Sequence, residues 1–85
     1  MQLKTSERFQ EEYCQLPAEL QALVDRKLRY LAENLRHRSL RVKRVQGTAG
    51  LYEASVNMQY RIIFRLVPGA YRLLRIGTHD VFDEL

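Results

Sequence analysis

The sequence predicts a small α+β domain in which a two-helix hairpin packs on one face of an antiparallel sheet. Three observations carry this prediction: early apolar residues recur at helical spacing, later apolar residues alternate with polar ones, and short turn signals separate the later segments. A chain of 85 residues is expected to form one domain over residues 1–85. Hydrophobic residues make up 46% of it, which favours a packed core over disorder.

The first half of the chain has the pattern of one strand followed by two helices. A short strand is predicted over residues 2–6, and Ser6 can cap the helix that follows. Apolar residues at helical spacing predict a first helix that ends before Pro17 and a second helix over residues 18–35. Two helices joined so closely form a helical hairpin.

The second half has the pattern of four strands joined by turns. The basic stretch 41–46 predicts a strand, and Gly47 and Gly50 bracket the turn after it. Stronger strand patterns follow over residues 51–56, 60–67 and 70–77. The predicted order is therefore β-α-α-β-β-β-β, and the later strands are close enough in sequence to form an antiparallel meander.

The register of two central strands follows from their apolar faces. A loop over residues 57–59 pairs Ser55 with Arg61 and Glu53 with Ile63. Alternation then points one set of side chains toward the helices: Tyr52, Ala54, Val56, Tyr60, Ile62, Phe64 and Leu66. The other set forms an open face: Leu51, Glu53, Ser55, Arg61, Ile63, Arg65 and Val67.

Positive charge is concentrated on this second half. Residues 34–79 hold nine basic side chains and a single acidic one, Glu53. Such a surface favours a polyanion or an acidic protein as partner, although solvated charge that only keeps the protein soluble is an open alternative. No apolar run approaches the ~20 residues of a membrane span, and no signal peptide is expected. One cysteine, Cys14, cannot form an internal disulfide, which favours a reduced, cytoplasmic setting.

Two residues of the open face, together with His79 just after the last strand, match the groups needed to cleave RNA by its own 2′-hydroxyl. Glu53 can act as the base, Arg61 can stabilise charge on the phosphate, and His79 can protonate the departing 5′-oxygen. Phosphates would be held by Lys43, Arg44, Arg65 and Arg75. No metal or other cofactor is expected, because the two histidines lack the spacing of metal ligands. A cross-strand ion pair at Glu53 and a strand-end turn at His79 are the structural alternatives.

The chain as a whole resembles the RelE/ParE superfamily of toxins from bacterial type II toxin–antitoxin systems. The resemblance rests on the "LP" between the helices and on "LRVKRVQGTAGLYEASV", "QYRIIFR" and "RIGTHDVF". It implies a β-α-α-β-β-β(-β) fold whose basic sheet face, in RelE-like members, cleaves mRNA on the ribosome without a metal. The family's arginine in the "YR" step falls on Arg61, and its arginine or histidine after the last strand falls on His79. Phe82 stands where many members have a tyrosine, so it can stack on an RNA base but cannot donate a proton.

The resemblance also implies partners and leaves two other functions open. The partners are mRNA, the ribosome and a cognate antitoxin with an acidic amphipathic segment. Operator DNA would be contacted only through the antitoxin, and no membrane is expected. That segment would cover a basic face with exposed apolar residues, Ile63 and Leu73. A ParE-like inhibitor of DNA gyrase without nuclease activity, or an inactive toxin-fold binding protein, are the alternatives.

Overall fold

A computed structural model describes the backbone of residues 1–83 and the side chains of residues 1–81. In chain order the elements are β1 (Gln2–Thr5), α1 (Glu7–Cys14), α2 (Ala18–Glu33), a 3₁₀ turn (Arg38–Leu40), β2 (Lys43–Arg44), β3 (Leu51–Ser55), β4 (Arg61–Val67), β5 (Ala70–Gly77) and α3 (Asp80–Asp83). The α+β class and the order of two helices and five strands are as the sequence predicts. The 3₁₀ turn and α3 are additional, and β2 is shorter than the predicted strand.

The five strands form one sheet in the order β1-β5-β4-β3-β2. Strands β2 to β5 are the predicted antiparallel meander. Strand β1 pairs with β5 in parallel. The alternation of apolar and polar residues does not by itself predict this position in the sheet. The chain between these parallel neighbours is long, since it contains the helical hairpin and the other three strands. None of the helices within residues 1–83 is long and apolar enough to cross a membrane.

The main core lies between the two long helices and one face of the sheet. It is formed by buried side chains from both layers: Phe9, Val24, Leu31, Leu40, Ala54, Val56, Ile62, Phe64, Tyr71, Leu73 and Ile76. Ser6 caps α1 as predicted, since its Oγ accepts a hydrogen bond from the Phe9 N–H at 3.0 Å. The same hydroxyl donates to the Leu74 carbonyl at 2.9 Å and so ties the start of α1 to β5.

The predicted register between β3 and β4 is confirmed. Ser55 lies opposite Arg61 and Glu53 lies opposite Ile63. One residue on the predicted helix-facing side is nevertheless exposed to solvent: Leu66 has 40% of its surface exposed. It lies beyond Arg65, the last β4 residue paired with β3, where β4 is paired only with β5.

The prediction that Ile63 and Leu73 are exposed apolar residues of the open face is wrong, because a β-bulge in β5 turns Leu73 into the core and α3 covers Ile63. Ile63 pairs with Arg75 but its neighbour Phe64 pairs with Leu73, so Leu74 is the extra residue. The bulge shifts the alternation of β5, and Leu73 consequently points into the main core with no exposed surface. Ile63 is also fully buried, because α3 covers part of the open face.

This coverage creates a second, small apolar cluster on the sheet face opposite the long helices. It consists of Leu51, Ile63 and Val81, with Val45 and Leu74 packed against them. Val81 is the anchor of α3, and its N–H donates to the Thr78 carbonyl at 3.0 Å. The cluster therefore fixes the segment that leaves β5, which carries His79.

The carboxylate of Glu12 in α1 accepts hydrogen bonds from the part of β5 that has no neighbouring strand. Both of its oxygens accept hydrogen bonds from the Arg75 guanidinium, at 2.8–3.1 Å, and Oε1 also accepts the Ile76 N–H at 3.1 Å. Both side chains are mostly buried. A bidentate pair with a backbone bond added is among the stronger polar contacts in proteins.

Replacing Glu12 with alanine is expected to lower the free energy of unfolding by about 2 kcal/mol, because the Arg75 guanidinium and the Ile76 N–H both lose their acceptor. Denaturant titration followed by circular dichroism would measure the change. Glu11→Ala is the matched control, since Glu11 is exposed on the same helix. Equal stabilities of the two variants would contradict the importance assigned to this contact.

Candidate active site

Three strands and the segment after β5 bring polar side chains to one open cleft of ≈720 Å³. Lys43 comes from β2, Glu53 from β3, Arg61 from the start of β4, and His79 from the residues that follow Gly77. Cross-strand pairing explains the convergence, because Lys43 lies opposite Glu53. The register places Arg61 opposite Ser55, two residues further along β3 and therefore on the same face. The sequence-predicted carboxylate, guanidinium and imidazole therefore line a single surface.

Glu53 is the central charge of this cleft. Its side chain is only 11% exposed, and its Oε1 atom lies 3.7 Å from Lys43 Nζ and 3.8 Å from Arg61 Nε. Its strand neighbour Leu51 and the facing Ile63 belong to the small apolar cluster. Its low exposure and the two cations beside it hold this carboxylate in a fixed position in the cleft.

The turn between β3 and β4 fixes the direction of Arg61. Its Nη1 atom donates to the backbone carbonyls of Asn57 and Tyr60, the latter at 3.0 Å. The Asn57 side chain in turn accepts the N–H groups of Gln59 and Tyr60 at 2.9 and 2.8 Å. This turn preorganises the guanidinium at the cleft, which is what stabilisation of a charged transition state requires.

His79 lies at the rim of the cleft and is exposed to solvent. It sits between the end of β5 and the start of α3, and Val81, two residues later, is buried in the small cluster. The backbone on both sides of the imidazole is thus tied to the sheet. An exposed imidazole on a fixed backbone can reach a substrate and exchange protons with water.

The loop after β2 forms a wall of the cleft that sequence reasoning did not assign to the site. Its lining residues are Val45, Gln46, Gly47 and Thr48. Thr48 Oγ1 donates to the Val45 carbonyl at 2.7 Å, and the Val45 N–H donates to Leu51 at 2.9 Å. The signal was present in Gly47, whose φ of 77° permits the tight turn.

The other predicted phosphate-binding residues lie elsewhere. Arg65 is exposed further along β4, opposite Leu51 and Arg72, and does not line the cleft. Arg75 lies opposite Ile63, but its guanidinium is bound to Glu12 of α1 and does not line the cleft. The backbone of Phe82 lies in α3, but its side chain is outside the described residues. The cleft therefore combines Glu53, Arg61 and His79 with Lys43 and Arg44.

Comparison with solved structures identifies the fold as that of the RelE/ParE toxins. The YoeB/ParE toxin from Agrobacterium tumefaciens superposes with a TM-score of 0.77 at 13% identity, covering 93% of this chain and 99% of that one. YafQ from E. coli strain BL21(DE3) gives 0.78 at 17% identity, with 93% of each chain covered. In the archaeal RelE–RelB complex from Pyrococcus horikoshii OT3 the match is 0.74 at 18% identity, over 91% and 92%.

The predicted resemblance is thus confirmed at the level of the fold. Searches against protein-family models and curated proteins gave no match. Sequence identities below one fifth leave the activity to be argued from the residues of the cleft.

Proposed function

We propose that this protein is the toxin of a type II toxin–antitoxin system and an endoribonuclease that cleaves mRNA, acting in the cytoplasm at the ribosome. The single observation that carries the proposal is the placement of Glu53, Arg61 and His79 on one basic cleft, with Glu53 and Arg61 only 3.8 Å apart. This is the set of groups that cleavage of RNA by its own 2′-hydroxyl requires.

The proposed reaction is an internal displacement at phosphorus. Glu53 accepts the proton of the 2′-hydroxyl as its oxygen bonds to phosphorus, and the bond from phosphorus to the 5′-oxygen breaks. His79 donates a proton to that departing oxygen, while Arg61 stabilises the charge on the phosphate oxygens. The products are a 2′,3′-cyclic phosphate and a 5′-hydroxyl. Lys43 and Arg44 would contact phosphates on the β2 side of the cleft.

The basic cleft is also the kind of surface that an acidic antitoxin would bind. Structures that share this fold include the E. coli DinJ–YafQ toxin–antitoxin complex, with a TM-score of 0.78. An antitoxin for this chain would present an acidic amphipathic segment, which complements the charge of Lys43, Arg44 and Arg61. A gyrase inhibitor has no use for a base, a guanidinium and an imidazole in one cleft, so the cleft favours the nuclease over that alternative.

Expression of the protein in bacteria is expected to arrest growth and to create new 5′ ends within coding regions of cellular mRNA. Mapping of RNA 5′ ends would measure this, with Glu53→Gln as the inactive comparison, since the amide cannot accept the proton. Growth arrest with a DNA-damage response and no new 5′ ends would instead identify a gyrase inhibitor. Unchanged growth would identify an inactive binding protein.

A further inference from the structure

A second open cleft of ≈280 Å³ shares Arg61 with the first. Helix α2 contributes Lys27, the residues of the 3₁₀ turn and its cap contribute Ser39 and Arg41, and the β3–β4 turn contributes Met58. Arg61 therefore lines two neighbouring clefts and lies at the boundary between them. A ligand long enough to contact both would pass over this guanidinium.

The charges of the second cleft are not balanced. Lys27, Arg41 and Arg61 are cationic, and among its lining residues, all of which lie in the described part of the chain, there is no carboxylate. Lys27 Nζ donates to the Ser39 carbonyl at 3.4 Å. Burial and the nearby guanidiniums of Arg26 and Arg41 lower the pKa of Lys27. Like charges gathered in this way repel each other, and a bound anion would offset that repulsion.

Arg41 also occupies an unusual backbone conformation. Its φ of 47° lies in the left-handed region, and it is the only residue other than glycine among residues 1–83 with a positive φ. Glycine or asparagine adopts this region with less strain, whereas arginine adds a cation at the cleft. Strain of this kind is concentrated at functional sites.

The β3–β4 turn adds an apolar surface beside these cations. Met58 is 85% exposed at the tip of the turn, directly after Asn57, whose carbonyl holds Arg61. A flexible thioether side chain adapts to flat apolar or aromatic partners. Cations for phosphates beside an adaptable apolar side chain are the composition of a single-stranded nucleic-acid site.

We infer that the second cleft binds a further phosphate of a single-stranded RNA whose scissile phosphodiester lies in the first cleft. The inference rests on the proposed function, and it specifies the substrate as a strand with at least two consecutive phosphodiesters. Lys27 and Arg41 contact the additional phosphate, Met58 contacts the adjoining base, and Arg61 lies between the two phosphates. These residues are positioning residues for the strand, and the groups of the first cleft perform the cleavage.

Binding of uncleavable 2′-O-methyl oligonucleotides tests the inference without relying on cleavage. Lys27→Gln and Arg41→Asn should each weaken binding of a hexanucleotide on the order of fivefold, as expected for one solvent-exposed ion pair. Each should also reduce the slope of log Kd against log salt concentration by about 0.7, the value for one phosphate contact on a single strand. A dinucleotide, which has one phosphodiester, should bind both variants as it binds the unaltered protein in an NMR titration.

Matched controls separate the cleft from general surface charge. Arg29→Gln removes an exposed cation from the same helix, and Lys4→Gln removes one from β1 at the far edge of the sheet. Both should bind the hexanucleotide like the unaltered protein. Arg41→Asn keeps a residue that suits the left-handed backbone, so its melting temperature should not fall.

The outcomes distinguish this inference from the proposed function. Hexanucleotide binding unaffected by Lys27→Gln and Arg41→Asn, in a protein that cleaves RNA, overturns the inference alone. Weakened hexanucleotide binding in a protein that does not cleave RNA supports the inference and overturns the nuclease. Unchanged RNA binding together with lost binding of an acidic peptide would assign the cleft to a protein partner and overturn the inference.

Discussion

Replacing His79 with alanine is expected to slow RNA cleavage by about 10²–10⁴-fold, the usual contribution of a general acid or base. The imidazole lies at the rim of the cleft that holds Glu53 and Arg61, on a backbone fixed by Val81. Single-turnover cleavage of a short RNA would measure the effect. His37→Ala is the matched control, because that histidine stacks on Tyr30 and does not line the cleft.

The assignment of His79 as the acid can be tested separately from its importance. An RNA with sulfur in place of the bridging 5′-oxygen has a leaving group that needs no proton. With this substrate, His79→Ala should regain most of the lost rate, whereas Glu53→Gln should stay slow because the 2′-hydroxyl still needs a base. Rescue of Glu53→Gln instead would reverse the two roles, and rescue of neither would remove His79 from the proton transfers.

Replacing Arg61 with methionine is expected to slow cleavage by about 10²–10³-fold, the usual loss when one charge-stabilising donor is removed. The same change should lower the free energy of unfolding by about 1–3 kcal/mol, because the mostly buried carboxylate of Glu53 loses one of its two cations. Cleavage kinetics and denaturant titration would measure the two effects. Arg72→Met is the control, since Arg72 is exposed on β5 and lies outside the cleft.

A double variant separates the two effects of Arg61. Combining Arg61→Met with Glu53→Gln removes the unpaired carboxylate, so most of the lost stability should return while cleavage stays slow. Stability that remains as low as in the single variant would show that Arg61 acts mainly through its bonds to the Asn57 and Tyr60 carbonyls. Cleavage restored in the double variant would contradict a direct role of Arg61 in the reaction.

The sheet geometry that unites Glu53 with Arg61 was readable from the sequence. The apolar faces of β3 and β4 agree on one register only, and a shift by one residue would bury Arg61 and expose Ile62. The structure adds turn chemistry to the same register, because the Asn57 side chain accepts the N–H groups of Gln59 and Tyr60. Where two independent patterns agree in this way, side-chain positions follow from the sequence.

Features that depend on contacts between distant parts of the chain could not be predicted from the sequence. The bulge at Leu74 has no signature in a regular apolar strand, yet it decides that Leu73 is buried. The pair of Arg75 with Glu12 likewise joins β5 to the distant helix α1. The α3 segment is too short for a helical period, and its burial through Val81 depends on Leu51 and Ile63. Each of these features involves residues far apart in the chain, which local periodicity cannot connect.

The Glu12 carboxylate has a consequence for how copies of this protein meet in solution. Strand β1 pairs with β5 only from Ala70 to Leu73, so the rest of that strand would offer unsatisfied backbone donors along a border of the sheet. Such a border is a template for pairing with another chain. By occupying the Ile76 N–H, Glu12 blocks this template and opposes edge-to-edge aggregation.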